Sequence, residues 1–226
     1  MIDFHTHILP CMDDGSQSVS ESISMLQTLA RQGIDTVVLS PHFYAQENSP
    51  AAFLERRERA WQQLQPQLSP ELPQVRLGAE VQYFEGICAV EDIQKLRIAG
   101  TDYLLLEMPF SRWTQRMVGD ILTLNDRTDT TVVLAHVERY LAMQPKAVWN
   151  QLHTCGVLTQ VNVSFFKKWK TRHTAMSMLT KGKIHLLGSD CHNMTTRQPN
   201  WNLLPQKARM LAEQSPAYTA FPALVP

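Results

Sequence analysis

The sequence predicts an α/β fold built on parallel strands, and three observations carry that expectation. Seven short apolar runs recur along the 226 residues, segments of helical period lie between them, and no repeat, low-complexity tract or linker interrupts the series. Such alternation is satisfied by an open, doubly wound sheet or by a closed barrel, and the pattern leaves both open. The length suits one domain or two small ones, and without an internal boundary one domain over residues 1–226 is expected.

The expected strands cover residues 2–9, 36–41, 76–81, 103–108, 131–136, 158–163 and 184–188. After the first, Ser18 and Glu21 form a capping box ahead of Ile23, Leu26 and Leu29, and Gly33 stops the helix. A second long helix, rich in Arg, Glu and Gln, is expected over 51–68, followed by a Pro-containing connection over 65–74. Further helices fit 91–98, 114–125, 145–153, 171–180 and 202–212.

Composition excludes some functions. The chain is 44% hydrophobic and 19% charged, so it can bury a sizeable core. Its 21 Lys and Arg balance 21 Asp and Glu, which removes any global charge argument for binding nucleic acid or a membrane. The first residues carry no basic and apolar leader, and nothing resembles a membrane span. Cys11, Cys88, Cys155 and Cys191 are scattered without a CxxC pair, as expected of free thiols in a cytoplasmic enzyme.

The chemistry lies at the strand ends. His5 and His7 are two apart in the first strand and share a face. Asp13 and Asp14 follow in the next loop, and His42 closes the second strand. Glu80, Glu107 and His136 are expected to end the third, fourth and fifth, while Asp190 and His192 follow the last. Strand C-terminal ends are where barrels and doubly wound sheets build sites. A carboxylate there, in a sheet otherwise of Val, Leu and Ile, is costly unless a cation neutralises it. Imidazole and carboxylate without thiolate suit Mn²⁺, Fe or Zn²⁺. Nine candidates (His5, His7, Asp14, His42, Glu80, Glu107, His136, Asp190 and His192) exceed the needs of one ion, so two or three divalent ions are expected. Asp-Asp-Gly is also ordinary turn chemistry, and of the two carboxylates Asp14 is the favoured candidate.

These residues resemble the polymerase-and-histidinol-phosphatase (PHP) superfamily, and within it the manganese-dependent bacterial protein-tyrosine phosphatases linked to capsule and exopolysaccharide synthesis. The resemblance rests on Asp3-Phe4-His5-Thr6-His7-Ile8-Leu9-Pro10, Asp13-Asp14-Gly15-Ser16, Ser40-Pro41-His42, Gly78-Ala79-Glu80, Leu106-Glu107, His136-Val137-Glu138-Arg139-Tyr140 and Gly188-Ser189-Asp190-Cys191-His192-Asn193. It implies a distorted (βα)7 TIM-like barrel with three metals: one on His5, His7, Glu80 and Asp190, a second reached by Glu80 and held by Glu107 and His136, a third on Asp14, His42 and His192. It also implies that Arg139 and Arg197 grip the phosphoryl group, that Mn is the native metal, and that the partner is the tyrosine-rich tail of a bacterial tyrosine autokinase. Val137 and Cys11 stand where that family usually has proline and glycine; neither is a ligand position.

Three softer expectations follow. Phe43, Tyr44, Phe110, Trp113, Phe165, Phe166 and Trp169 all follow strand ends and could wall a mouth for a phosphotyrosine ring, or pack loops onto the sheet. Lys167, Lys168, Lys170 and Arg172 form the one local basic run, either a solvated face or a docking point for an acidic tail. Cys191 and Arg197 have the Cys-x5-Arg spacing of cysteine phosphatases, but the intervening residues lack the glycine a phosphate-cradling loop uses, and Asp190 disfavours a thiolate. The alternative substrate is a small molecule such as histidinol phosphate; a nuclease would need a basic groove. His153, His173 and His185 are read as structural.

Overall fold

The computed structural model describes residues 1–222. Its strands are β1 (Ile2–Thr6), β2 (Thr36–Leu39), β3 (His42–Phe43), β4 (Gln74–Leu77), β5 (Glu80–Gln82), β6 (Tyr103–Glu107), β7 (Thr131–Leu134), β8 (Leu158–Asn162) and β9 (Leu186–Gly188). The main helices are α1 (Val19–Arg31), α2 (Pro50–Leu64), α3 (Gln115–Asn125), α4 (Lys146–Thr154), α5 (Trp169–Thr180), α6 (Gln206–Glu213) and α7 (Pro216–Thr219). Every named strand pairing is parallel, in the orders β1-β2-β4 and β3-β5-β6-β7-β8-β9.

Two expected strands are each split. The second breaks at Ser40-Pro41, where proline has no N–H for the ladder, and the fourth and fifth strands are the halves of another run broken at Gly78-Ala79. The breaks lie side by side: Gly78 N donates to Leu39 O at 2.8 Å and Glu80 N to Pro41 O at 3.0 Å. Both chains therefore step together from the first sheet into the second. Glu80 consequently begins β5 rather than ending a strand. Beyond β9, Asp190 N donates to His5 O and His7 N to Cys191 O, each at 2.9 Å, so the last strand returns to the first.

Side chains alternate across these strands, and one face changes character along its length. Tyr103 and Leu105 precede Glu107, Leu158 precedes Gln160 and Asn162, and Leu186 and Gly188 precede Asp190. The apolar ends of this face pack with Phe4, Val38 and Val133, and with Ala217 and Phe221 from α7 and beyond. Phe4 and Phe221 meet edge to face at 4.9 Å. The polar ends gather at the opposite, C-terminal end. The larger apolar cluster, including Leu26, Leu29, Phe53, Ile121 and Trp201, binds the helices to the sheet.

At α1, Ser18 Oγ accepts from Glu21 N at 3.1 Å, and Glu21 reaches back to Gln17 N. Three expected helices differ. The segment 91–98 makes only one 3₁₀ turn, Ile93–Leu96, because it is too short to repay helix nucleation. The helix over 51–68 tightens to 3₁₀ at Gln65–Gln67, where proline enters, and that over 202–212 divides at Pro205. No helix among the described residues is long and apolar enough to cross a membrane.

His185, read as structural, has a defined role. Its Nδ1 accepts the backbone N–H of Thr159 at 3.0 Å, joining the approach to β9 to β8. Burial, and then the nearby His153, push its pKa from 6.5 to about 4. An unfolded chain takes up this proton near pH 6.5 while the folded chain refuses it until about pH 4. The site therefore costs stability as pH falls through that window, by at most about 3 kcal/mol and less for the water that still reaches the ring. Urea unfolding across this range should show wild type losing more stability than His185→Asn, whose amide oxygen can accept the same N–H. Parallel curves would refute this role.

Candidate metal centre

All nine candidate ligands converge at the polar end of the sheet. His5 Nδ1 faces Gln160 Oε1 at 3.2 Å and His7 Nδ1 donates to Asp13 Oδ2 at 2.7 Å. With the Nδ1 atoms so engaged, the two Nε2 atoms point inward, 3.1 Å apart. Glu80 Oε2 lies 3.1 Å from His5 Nε2, 3.2 Å from His7 Nε2 and 3.1 Å from His42 Nδ1. Its other oxygen lies 2.9 Å from His136 Nε2, which is 3.3 Å from Glu107 Oε1. Asp190 Oδ1 sits 3.6 Å from His7 Nε2 and 3.8 Å from His5 Nε2, and Asp14 Oδ1 is 3.3 Å from His192 Nε2.

Three groups within this cluster bring one donor atom per residue close enough to hold a cation: His7, Asp14, His42 and His192; His5, His7 and Asp190; and His42, Glu80 and Glu107. The donor set fits divalent ions. His42 Nδ1 and His192 Nε2 are buried without a hydrogen-bond partner, and an imidazole lone pair buried among carboxylates and other imidazoles is satisfied by a proton or a metal. His192 Nδ1, facing Asp190 O at 3.1 Å, already holds that ring's proton.

Local backbone makes this convergence possible. A Cβ on Gly15 would stand 2.2 Å from His7 O, so only glycine lets the Asp-Asp-Gly turn fold onto His7. A Cβ on Gly188 would meet that of His5 at 2.5 Å. His136 and Asp190 both adopt left-handed φ, +33° and +54°, an uncommon conformation for non-glycine residues that clusters at functional sites.

Without a metal, protons would balance the charge. Burial alone would push His7 and His136 down, but hydrogen bonds to Asp13 and Glu80 hold His7 at about 10, and those to Glu107 and Glu80 hold His136 at about 9. Against the same burial, His5 and its imidazole neighbours keep Glu80 and Asp190 below the carboxylate range. By contrast, burial and the charge on His7 take His192 down to about 3, and burial lowers His42. The protons that His7 and His136 hold toward Glu80 lie where metal ions can take their place.

Arg139 and Arg197 flank the cluster. Arg139 donates to Asp190 Oδ2 at 2.7 Å and Arg197 to Asp190 Oδ1 at 2.8 Å. Both line one cavity of about 1030 Å³ with His42, Glu80, Glu107 and His136. The loop bearing Arg197 is tied by Asn193, whose Oδ1 accepts from the backbone N–H of Thr195, Thr196 and Arg197.

Residues 1–214 match the family model for capsular polysaccharide synthesis, CpsB/CapC. The chain belongs to the CpsB/CapC family. Similar relatives include the tyrosine-protein phosphatase YwqE of Bacillus subtilis (strain 168), 30% identical over 87% of this chain and 79% of its own. The tyrosine-protein phosphatase CpsB of Streptococcus pneumoniae is 33% identical over 88% of this chain and 86% of its own. A solved chain from work on YwqE and CpsB, metal-dependent tyrosine phosphatases, matches with a TM-score of 0.75 and 25% identity over 96% of this chain and 88% of that one.

In this CpsB/CapC chain, sequence reasoning missed a supporting layer. Asp13 accepts from His7, His42 N and Gly15 N, so it orients imidazoles, while exposed Asp14 brings Oδ2 to 3.6 Å from Arg197 Nη1. Gln160 Oε1 faces His5 Nδ1 and accepts from His136 N, and its amide donates to Asn162, which in turn donates to Asp190 Oδ2. The signal was available: Gln160 and Asn162 are two apart in β8 and so share one of its faces. Asp3, held by Ser189 N and Trp201 Nε1, braces β1 against the last loop.

The aromatic mouth contracts to one residue. Phe43, Trp113 and Phe166 are buried in packing, Phe165 is partly buried, and Phe110 and Trp169 face solvent. Tyr44 alone of the seven lines the cavity, stacked on His42 at 5.1 Å. Cys191 is fully buried, and burial followed by Asp3 raises its thiol pKa well above the usual value, which removes it as a nucleophile. Cys11 has φ +57°, which gives the physical reason a glycine is favoured there.

Proposed function

We propose that this chain is a metal-dependent protein-tyrosine phosphatase acting in capsule or exopolysaccharide synthesis. One observation carries the reading: Arg139 and Arg197 line the same cavity as His42, Glu80, Glu107, His136 and Asp190, five of the nine clustered metal-type residues. The family and the activities named for its relatives support the substrate class. In this reading residues 1–226 form one cytoplasmic domain, a distorted seven-stranded barrel of the PHP type. His5, His7, Asp14, His42, Glu80, Glu107, His136, Asp190 and His192 are its ligands, with Mn²⁺ preferred over Fe or Zn²⁺. The natural substrate is the phosphorylated tail of a bacterial tyrosine autokinase.

Bound divalent ions would supply an acidified water as nucleophile and neutralise phosphoryl charge. The chain's own groups do the rest. Glu80 and Asp190 fix the separation of the imidazoles. Each guanidinium uses one edge on Asp190 and has N–H groups left for equatorial phosphoryl oxygens, a task suited to its planar fork. Tyr44 gives the cavity an apolar wall for the substrate ring. A phenolate with a pKa of about 10 departs without a strong general acid.

Chelator-stripped protein should release phosphate from a phosphotyrosyl peptide only after Mn²⁺ is restored, with histidinol phosphate inert in parallel. Turnover of histidinol phosphate alone would move the substrate to metabolism, and activity indifferent to chelation would overturn the metal reading.

A further inference from the structure

Beside the cavity runs a strip of cations that the fold does not neutralise. Lys167, Lys168, Lys170 and Arg172 are all exposed. Among the described residues none of them forms an ion pair, whereas Arg59, Lys95, Arg97 and Arg116 each have a carboxylate. The placement is unfavourable in isolation: Lys168 caps α5 and Lys170 lies in its first turn, which contains no acidic residue. Cations there oppose the helix dipole, and their mutual repulsion adds to the cost.

The strip is nonetheless held in place. Arg172 Nε donates to Phe166 O at 2.8 Å, and the Phe166 ring is fully buried, so the turn is anchored in the core. Trp169, 79% exposed, stands in the middle of the run. Lys167 also lines the cavity that holds Arg139 and Arg197. The basic surface is thus continuous with the catalytic one.

We propose that residues 167–172 dock an acidic stretch of substrate polypeptide flanking the phosphotyrosine, with Trp169 covering an apolar side chain between the acids. The inference rests on the protein-phosphatase reading and adds a rule of selection. A phosphotyrosine in an uncharged segment meets the cavity alone, whereas one beside Asp or Glu also neutralises the strip. Because these contacts are solvent-exposed, they are screened by salt and act mainly on encounter and KM. The turn is already fixed by Arg172, so the ordering cost on binding falls on the lysine side chains and on the partner.

Two phosphotyrosyl peptides identical except for acidic or uncharged flanks test this, using the Mn²⁺-loaded full chain and its Lys167→Ser/Lys168→Ser/Lys170→Ser variant. Wild type should favour the acidic peptide by about tenfold in kcat/KM, mostly through KM, and added salt should shrink the preference. The variant should show none. Equal use of both peptides by wild type, or a preference that survives in the variant, overturns the proposal. Binding of the unphosphorylated acidic peptide, followed by fluorescence anisotropy, reads the strip without turnover: it should be measurable for wild type and lost in the variant. If neither phosphopeptide is hydrolysed, the phosphatase reading fails while this binding still decides the strip. Absent peptide binding, together with strip-dependent sedimentation on vesicles containing anionic lipid, would assign these residues to a membrane surface and overturn the proposal.

Discussion

Glu80→Gln should leave a folded protein whose turnover of a phosphotyrosyl peptide falls about 10³-fold or more, with metal content falling alongside. Glu80 is the carboxylate in contact with the most imidazoles: its two oxygens lie within 3.2 Å of His5, His7, His42 and His136. In the proposed centre it joins neighbouring ligand groups, so loss of its charge disturbs more than one metal position. Removing a single oxyanion donor elsewhere costs about 10²–10³-fold, and a group that organises the metals should cost at least as much. Glutamine keeps shape and volume, so far-UV circular dichroism should not change. Metal analysis by mass spectrometry and kcat on the peptide decide the matter. A variant retaining a tenth of wild-type activity at full metal content would sink the ligand assignment, as would full activity in His136→Ala or Asp190→Ala.

Much of this centre was legible because its residues break a pattern. Nine metal-type side chains at the ends of apolar runs are conspicuous against Val, Leu and Ile, and period-two spacing in the first run places His5 with His7 on one side of the chain. What was not legible depends on the path of the backbone. Glu80 reads as the end of a run, yet it begins β5, because Gly78 and Pro41 let two strands step together into the second sheet. Asp13 and Asp14 cannot be told apart by spacing; the turn closed by Gly15 gives one to His7 and leaves the other exposed. Aromatic residues after strand ends give no direction, since loop geometry decides whether a ring meets core, cavity or water. The seal formed by α7 and Phe221 at the far end was likewise invisible, being one short turn beginning at a proline.

The two arginines should separate from the ligands by experiment. Arg139→Ala and Arg197→Ala should each lower kcat/KM on the phosphotyrosyl peptide by about 10²–10³-fold while metal content stays at the wild-type level, because in the proposed reading each guanidinium meets the phosphoryl group. Lysine should restore only part of the loss at either position: an ammonium carries the charge but cannot bond Asp190 and two phosphoryl oxygens in one plane. The double variant should not show the product of the single losses. Both guanidiniums share the carboxylate of Asp190, Arg139 on one oxygen and Arg197 on the other, so their contributions are coupled through that group. With Arg139 gone, Oδ2 retains the amide of Asn162, at 2.8 Å, which should keep Asp190 in place and the metals bound. Single-turnover rates at saturating peptide would place the loss in the chemical step rather than in binding. A fall of less than about threefold, or one that tracks metal loss, would return these arginines to the role of ion-pair partners for Asp190.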